Sequence, residues 1–135
     1  MTVLREASMT TAEQALLDRF VDELRRGLGE ELHAVWLFGS RARGEQPAED
    51  SDVDVLVLID DASWDRRMMV RTILDDAARE LGLDALAWSF SVHVHTPEWL
   101  AQRREIGSFF IAEVDRDKIV LSEAAQIPHR GRRLV

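Results

Sequence analysis

An α/β (α+β) fold, a small mixed β-sheet with helices on one face, is predicted by three features of the sequence. Val35–Asp60 holds two apolar stretches separated by a polar, glycine-containing segment. Two longer stretches, one on each side of it, repeat their apolar residues at helical spacing. A later stretch, Ala87 to His95, alternates apolar and polar residues as a strand covered on one side does.

In chain order, the first eight or so residues carry no clear pattern. Thr10 or Thr11 then fits a helix N-cap, and Thr10 with Glu13 has the spacing of a capping box. Leu16, Leu17, Phe20, Val21, Leu24 and Leu28 form the buried stripe of that helix, and Gly27 and Gly29 mark its end. A first strand follows, about His33 to Phe38, with His33 as an edge residue. The second strand opens at Ser51-Asp52-Val53-Asp54, and Val53, Val55, Val57 and Ile59 alternate toward the core. Asp61 or Ser63 can cap the next helix, Trp64 to Leu81, whose stripe is Val70, Ile73, Leu74, Ala77, Ala78 and Leu81 and whose stop is Gly82. Arg66, Arg67 and Arg71 fit its solvated face. The third strand, Ala87 to His95, puts Trp88, Phe90, Val92 and Val94 on one side and Ser89, Ser91, His93 and His95 on the other. Thr96 and Pro97 start a further helix. Glu105 to Val114 reads as a short apolar helix, Asp115–Asp117 as a turn, and Lys118 to Leu121 as an edge strand. The domain limits expected are an arm over 1–10, a domain over 11–122 and a flexible tail over 123–135.

Composition removes several function classes. With no cysteine there is no disulfide, no thiolate metal site and no cysteine nucleophile. No apolar run approaches the ~20 residues needed to cross a bilayer, and the first residues lack the apolar core of a signal peptide. No membrane association and a cytoplasmic location are the expectation. The net charge of −8 argues against a nucleic-acid partner, though not against a single nucleotide met locally by a cation.

The chemistry is concentrated between Phe38 and Asp54. Asp52 and Asp54 are two apart on a strand, so both carboxylates leave one face. Such a pair suits Mg2+, a hard cation that takes oxygen ligands and keeps substrate phosphates as further ligands. Gly39 lets backbone amides approach a phosphate, Ser40 adds a hydroxyl, and the following helix start offers free N–H groups. Arg41 and Arg43 add positive charge. The combination describes a site for a Mg-nucleoside triphosphate.

These residues (Leu37, Phe38, Gly39, Ser40, Arg41, Arg43, Gly44, Ser51, Asp52 and Asp54) resemble the signature of the polymerase-β-type nucleotidyltransferases, specifically the minimal nucleotidyltransferase proteins. Eleven residues separate Ser40 from Asp52, about one more than the common spacing, within the loop Glu45–Asp50. The resemblance implies the nucleotidyltransferase fold, nucleotide binding by Gly39, Ser40, Arg43 and Ser51, and Mg2+ held by catalytic Asp52 and Asp54. It also implies a third carboxylate on the third strand. Counting back from Thr96-Pro97-Glu98 puts that position at Ser91, which is not an acid; His93 is the same-face alternative and a candidate base. The implied activity is transfer of AMP, or another nucleoside monophosphate, from ATP to a hydroxyl on a partner protein or small molecule. The implied partner is a helical HEPN-type toxin, the chain acting as antitoxin, with homo-oligomer formation left open. The alternative is a catalytically degenerate module that binds nucleotide or partner only. Four tryptophans are many for this length, and at least one is expected on an exposed apolar patch near Met68 or Met69.

Overall fold

The computed structural model describes residues 7–45 and 51–124. Helix α1 spans Thr11–Leu28, with the capping box formed as expected: the Glu13 amide donates to Thr10 Oγ1 at 3.0 Å and the Thr10 amide to Glu13 Oε1 at 2.9 Å. Strand β1 (Leu32–Phe38) is followed by a one-turn helix α2 (Gly39–Ala42), strand β2 (Val53–Ile59) and helix α3 (Trp64–Glu80), which Ser63 caps. Strand β3 (Phe90–His95), helices α4 (Pro97–Glu105) and α5 (Phe109–Asp117), and strand β4 (Ile119–Glu123) complete the order.

The four strands form one mixed sheet in the order β3-β2-β1-β4. β1 runs antiparallel to β2 and to β4, while β2 and β3 are parallel. A parallel pair needs a crossover, and α3 supplies it. Every second residue of β1 and β2 (Val35, Leu37, Val53, Val55, Val57, Ile59) faces α1 and α3, where Leu16, Leu17, Phe20, Leu24, Val70 and Leu74 close the main core.

The expectation of helices on one face holds for these two long helices. The other face is also partly covered: Ala34, Trp36, Phe38, Leu56 and Leu58 pack against Leu100 of α4 and Ile111 and Val114 of α5. Leu56 and Leu58 make β2 apolar on both sides, and a strand apolar on both sides needs cover on both.

Several boundaries differ from the sequence reading, among them the second strand, which begins at Val53 and not at Ser51. Residues Asp84–Ser89 wind into a 3₁₀ turn, so the third strand begins at Phe90 and Trp88 is 86% exposed instead of facing the core. Arg71 explains this ending: its guanidinium donates to the carbonyls of Ala87 and Phe90, so it ties α3 to the turn and is not a free solvated residue. The second short helix starts at Phe109, because Gly107 takes φ 71° and Ser108 caps the turn by accepting from the Ile111 amide. Ile106 and Phe109 are therefore exposed, and the helix runs through Asp115–Asp117, where a turn was expected. Strand β4 lies at the sheet edge as expected, starting one residue and ending two residues later.

Ala7 and Met9, in the expected arm, pack against the main core. The tail beyond Ala124 and most of the loop Glu45–Asp50 lie outside the described residues. Among the described residues no helix is long and apolar enough to cross a membrane. Trp64 and Met68 are both exposed, one turn apart on α3, in agreement with the expected patch.

Candidate active site

The end of β1 and the start of β2 are held together by an arginine that is not part of the reaction surface. Arg41 is buried and its guanidinium makes a two-point contact with the Glu13 carboxylate, 2.6 and 3.0 Å. The same group donates to the Ser8 carbonyl at 3.0 Å, to Ser51 Oγ at 3.2 Å and to the Ser51 carbonyl. Burial alone would raise the Glu13 carboxyl; the Arg41 and Thr10 hydrogen bonds outweigh it and leave it below its usual value. Arg41 thus locks α2, the N-terminal segment and the entry to β2 onto α1. Ser51, expected at the nucleotide, is occupied with this arginine.

The Gly39 backbone follows from its neighbour across the sheet. Gly39 has φ 80°, in the left-handed region. A Cβ there would fall inside contact distance of Asp54 Oδ2 and 3.3 Å from its Cγ. Only glycine lets the turn close over the Asp54 carboxylate. Phe38, Gly39, Ser40, Arg43 and Asp54 then line one side of a cleft of about 320 Å³, and Phe110, Glu113 and Val114 of α5 line the other.

Asp54 is half-buried at the floor of this cleft. Burial pushes its carboxyl up; His93 opposes the shift and the Asp52 carboxylate adds to it. Asp52 is exposed just before β2 and close enough to act on Asp54. A half-buried carboxylate with a second carboxylate acting on it fits a divalent cation. Among the described residues no group of three or more histidine, aspartate or glutamate side chains gathers as a metal cage. A two-carboxylate site completed by substrate phosphates fits Mg2+ better than a closed protein cage would.

Arg43 lines the cleft, but its guanidinium is engaged by Glu45 at 2.7 Å and Asp117 at 3.2 Å. Hydrogen bonds to Glu45 and Asp117 raise its pKa, and the bonds from Arg116 and Arg43 hold Asp117 down at about 2. Arg43 therefore also docks α5 against α2.

On β3, the parallel register pairs Ser91 with Asp54, which puts the serine on the same face and level with the carboxylate. Ser91 Oγ lies 3.3 Å from His93 Nε2. The His93 ring meets Phe38 edge-on, centroids 5.4 Å apart, and Phe110 lies 6.2 Å from it. Glu113 and Phe110 are cleft residues that the sequence reading did not single out. Their signal was the spacing Phe110, Glu113, Val114, Asp117, which places them on one face of α5; reading the segment as a buried apolar helix hid it.

A family model described as polymerase beta, nucleotidyltransferase matches residues 26–93. The chain belongs to this nucleotidyltransferase family. The matched half runs from the last turn of α1 to His93 and so contains the Gly39-Ser40 turn, both aspartates and the Ser91 position. The architecture agrees with a minimal nucleotidyltransferase domain. One solved structure, described as a toxin–antitoxin with AMP-PNP, is 20% identical, with a TM-score of 0.50 over 81% of this chain and 75% of that one. A mutant of the toxin–antitoxin MntA-HpeT is also 20% identical, with a TM-score of 0.48 and the same coverage. The first of these likenesses shows the shared fold. No curated protein sequence matches the chain.

Proposed function

We propose that this nucleotidyltransferase transfers the nucleoside monophosphate of ATP to a hydroxyl on another molecule. The observation that carries the reading is the closure of Gly39 over Asp54, which puts the Gly39-Ser40 turn and the Asp54 carboxylate in one cleft. Gly39 and Ser40 bind the β- and γ-phosphates from the β1 side. Asp52 and Asp54 hold Mg2+, which when bound neutralises phosphate charge and polarises the reacting phosphoryl group. The acceptor oxygen attacks the α-phosphorus, the bond to the bridging oxygen breaks, and pyrophosphate leaves. His93, on the β3 side of Asp54, takes the hydroxyl proton. Phe38 and Phe110 give the cleft apolar walls.

The chain has no tyrosine, so a modified tyrosine must belong to another molecule. A helical toxin protein is the partner class proposed, the chain acting as its antitoxin; support comes from the family and from the solved toxin–antitoxin of the same fold. Capture of a partner followed by intact-mass measurement after incubation with Mg-ATP tests this. An added AMP mass on the partner, absent with Asp54→Asn, is the expected result. An adduct that forms without Mg2+, or on this chain alone, would contradict it.

A second reading rests on Ser91. No carboxylate stands level with Asp54 on β3, and a chain without a replacement base would bind Mg-ATP and transfer slowly or not at all. A working base is worth roughly 100- to 10,000-fold.

A further inference from the structure

Helix α5 carries three acids, and two of them are taken up by cations. Asp115 pairs with Arg104 and Lys118, and Asp117 with Arg116 and Arg43. Glu113 has no hydrogen-bond or ion-pair partner among the described residues, and it is the one of the three that lines the cleft. Arg43, in the same cleft, does not compensate it, because Glu45 and Asp117 hold its guanidinium.

Glu113 stands across the cleft from the Gly39-Ser40 turn. A carboxylate there repels phosphate oxygens, so the triphosphate keeps to the turn and the metal. What an ionised carboxylate takes from a nucleotide is a hydrogen bond from a hydroxyl or an amino group. Phe110 lies one turn earlier on the same face of α5 and lines the same cleft. Phe38 meets it edge-on, centroids 5.6 Å apart and planes at 83°, which fixes the ring, yet 40% of Phe110 stays exposed. Side chains three apart on a helix are about 5–6 Å from each other. That spacing suits one nucleoside, with its base on the aromatic ring and its sugar hydroxyls on the acid. In dinucleotide-binding folds an acidic side chain takes the ribose hydroxyl in the same way. The β3 face with Ser91 and His93 is left for the acceptor.

We propose that α5 is the nucleoside wall of the cleft: Phe110 stacks on the base and Glu113 accepts hydrogen bonds from the ribose hydroxyls, so that the site selects ribonucleotides. This rests on the transferase reading, which places the phosphates and leaves the sugar and base unassigned.

Calorimetric titration of the full chain with Mg-ATP and with Mg-dideoxy-ATP, which lacks both sugar hydroxyls, tests the assignment. Wild type should bind the dideoxy nucleotide at least tenfold more weakly, because the hydrogen bonds lost are to a charged group. Glu113→Ala should bind the two nucleotides alike. Phe110→Ala should weaken both by the same factor, at least fivefold, and keep the preference for ATP. Equal affinity of wild type for the two nucleotides, a preference kept in full by Glu113→Ala, or a Phe110→Ala chain that binds both as wild type does would overturn the proposal and leave the transferase reading standing. ATP that binds wild type no more tightly with Mg2+ than without it would contradict the transferase reading, and this proposal with it.

Discussion

The two faces of the sheet are built from the same strands, one residue out of phase, and they have opposite characters. Val53, Val55, Val57 and Ile59 meet α1 and α3 in a continuous apolar layer. Their immediate neighbours on β2 pass from Asp54 through Leu56 to Leu58, so that face is apolar where α4 and α5 cover it and polar where they do not. The uncovered end holds the cleft. A strand thus spends one face on stability and divides the other between packing and chemistry. Adjacent residues should therefore respond to substitution in different currencies.

Val55→Asn offers the most severe break of the covered face. It exchanges a fully buried side chain for an unpaired amide and should cost roughly 3–5 kcal/mol, read by urea unfolding. A loss below ~1 kcal/mol would mean that this layer is not the core. Arg41→Met is expected to cost a similar ~3–5 kcal/mol, because it strands the buried Glu13 carboxylate. The double variant Arg41→Met with Glu13→Leu should recover most of the loss. Glu13 also sets a pH signature. Its folded pKa lies below its ordinary value of 4.5, so its contribution is complete above that value and is lost as pH falls through the folded one. The stability difference between wild type and Glu13→Gln should shrink over that acid range and stay flat above it.

Much of this division was legible in the sequence. The capping box, the valine alternation and the cap at Thr96 all follow from local rules, and each stands where those rules put it; of the expected strand pair only Asp54 lies on β2, with Asp52 one residue before it. What local rules missed depended on distant partners. Arg41 looked like a site cation until Glu13, 28 residues earlier, was found against it. Trp88 fitted a strand until Arg71 took the carbonyls of Ala87 and Phe90. Glu113 and Phe110 became cleft residues only because Arg43 and Asp117 dock α5 beside α2. Long-range ion pairs leave no periodicity, and side chains that meet through them are invisible to a pattern search.

Smaller effects sharpen the comparison. Gly39→Ala forces a left-handed backbone on a residue with a Cβ, a cost of about 1–2 kcal/mol, and pushes against the Asp54 carboxylate. Its melting temperature should fall by a few degrees while Mg-ATP affinity falls much further. Equal affinity to wild type would show that the close approach does not matter to the site. Trp88→Ser should change stability by no more than ~0.5 kcal/mol, the range for exposed positions. A larger loss would restore the tryptophan to the core.

The central claim is that the uncovered end of the sheet is a metal-dependent nucleotide site held by Asp54. Calorimetry of ATP binding, with and without Mg2+, to wild type and to Asp54→Asn tests it most directly. Wild type should bind ATP at least tenfold more tightly with Mg2+, and Asp54→Asn should lose that difference while unfolding in urea as wild type does. Identical ATP affinity with and without Mg2+ in the wild-type chain, or an Asp54→Asn chain that keeps the full difference, would contradict it.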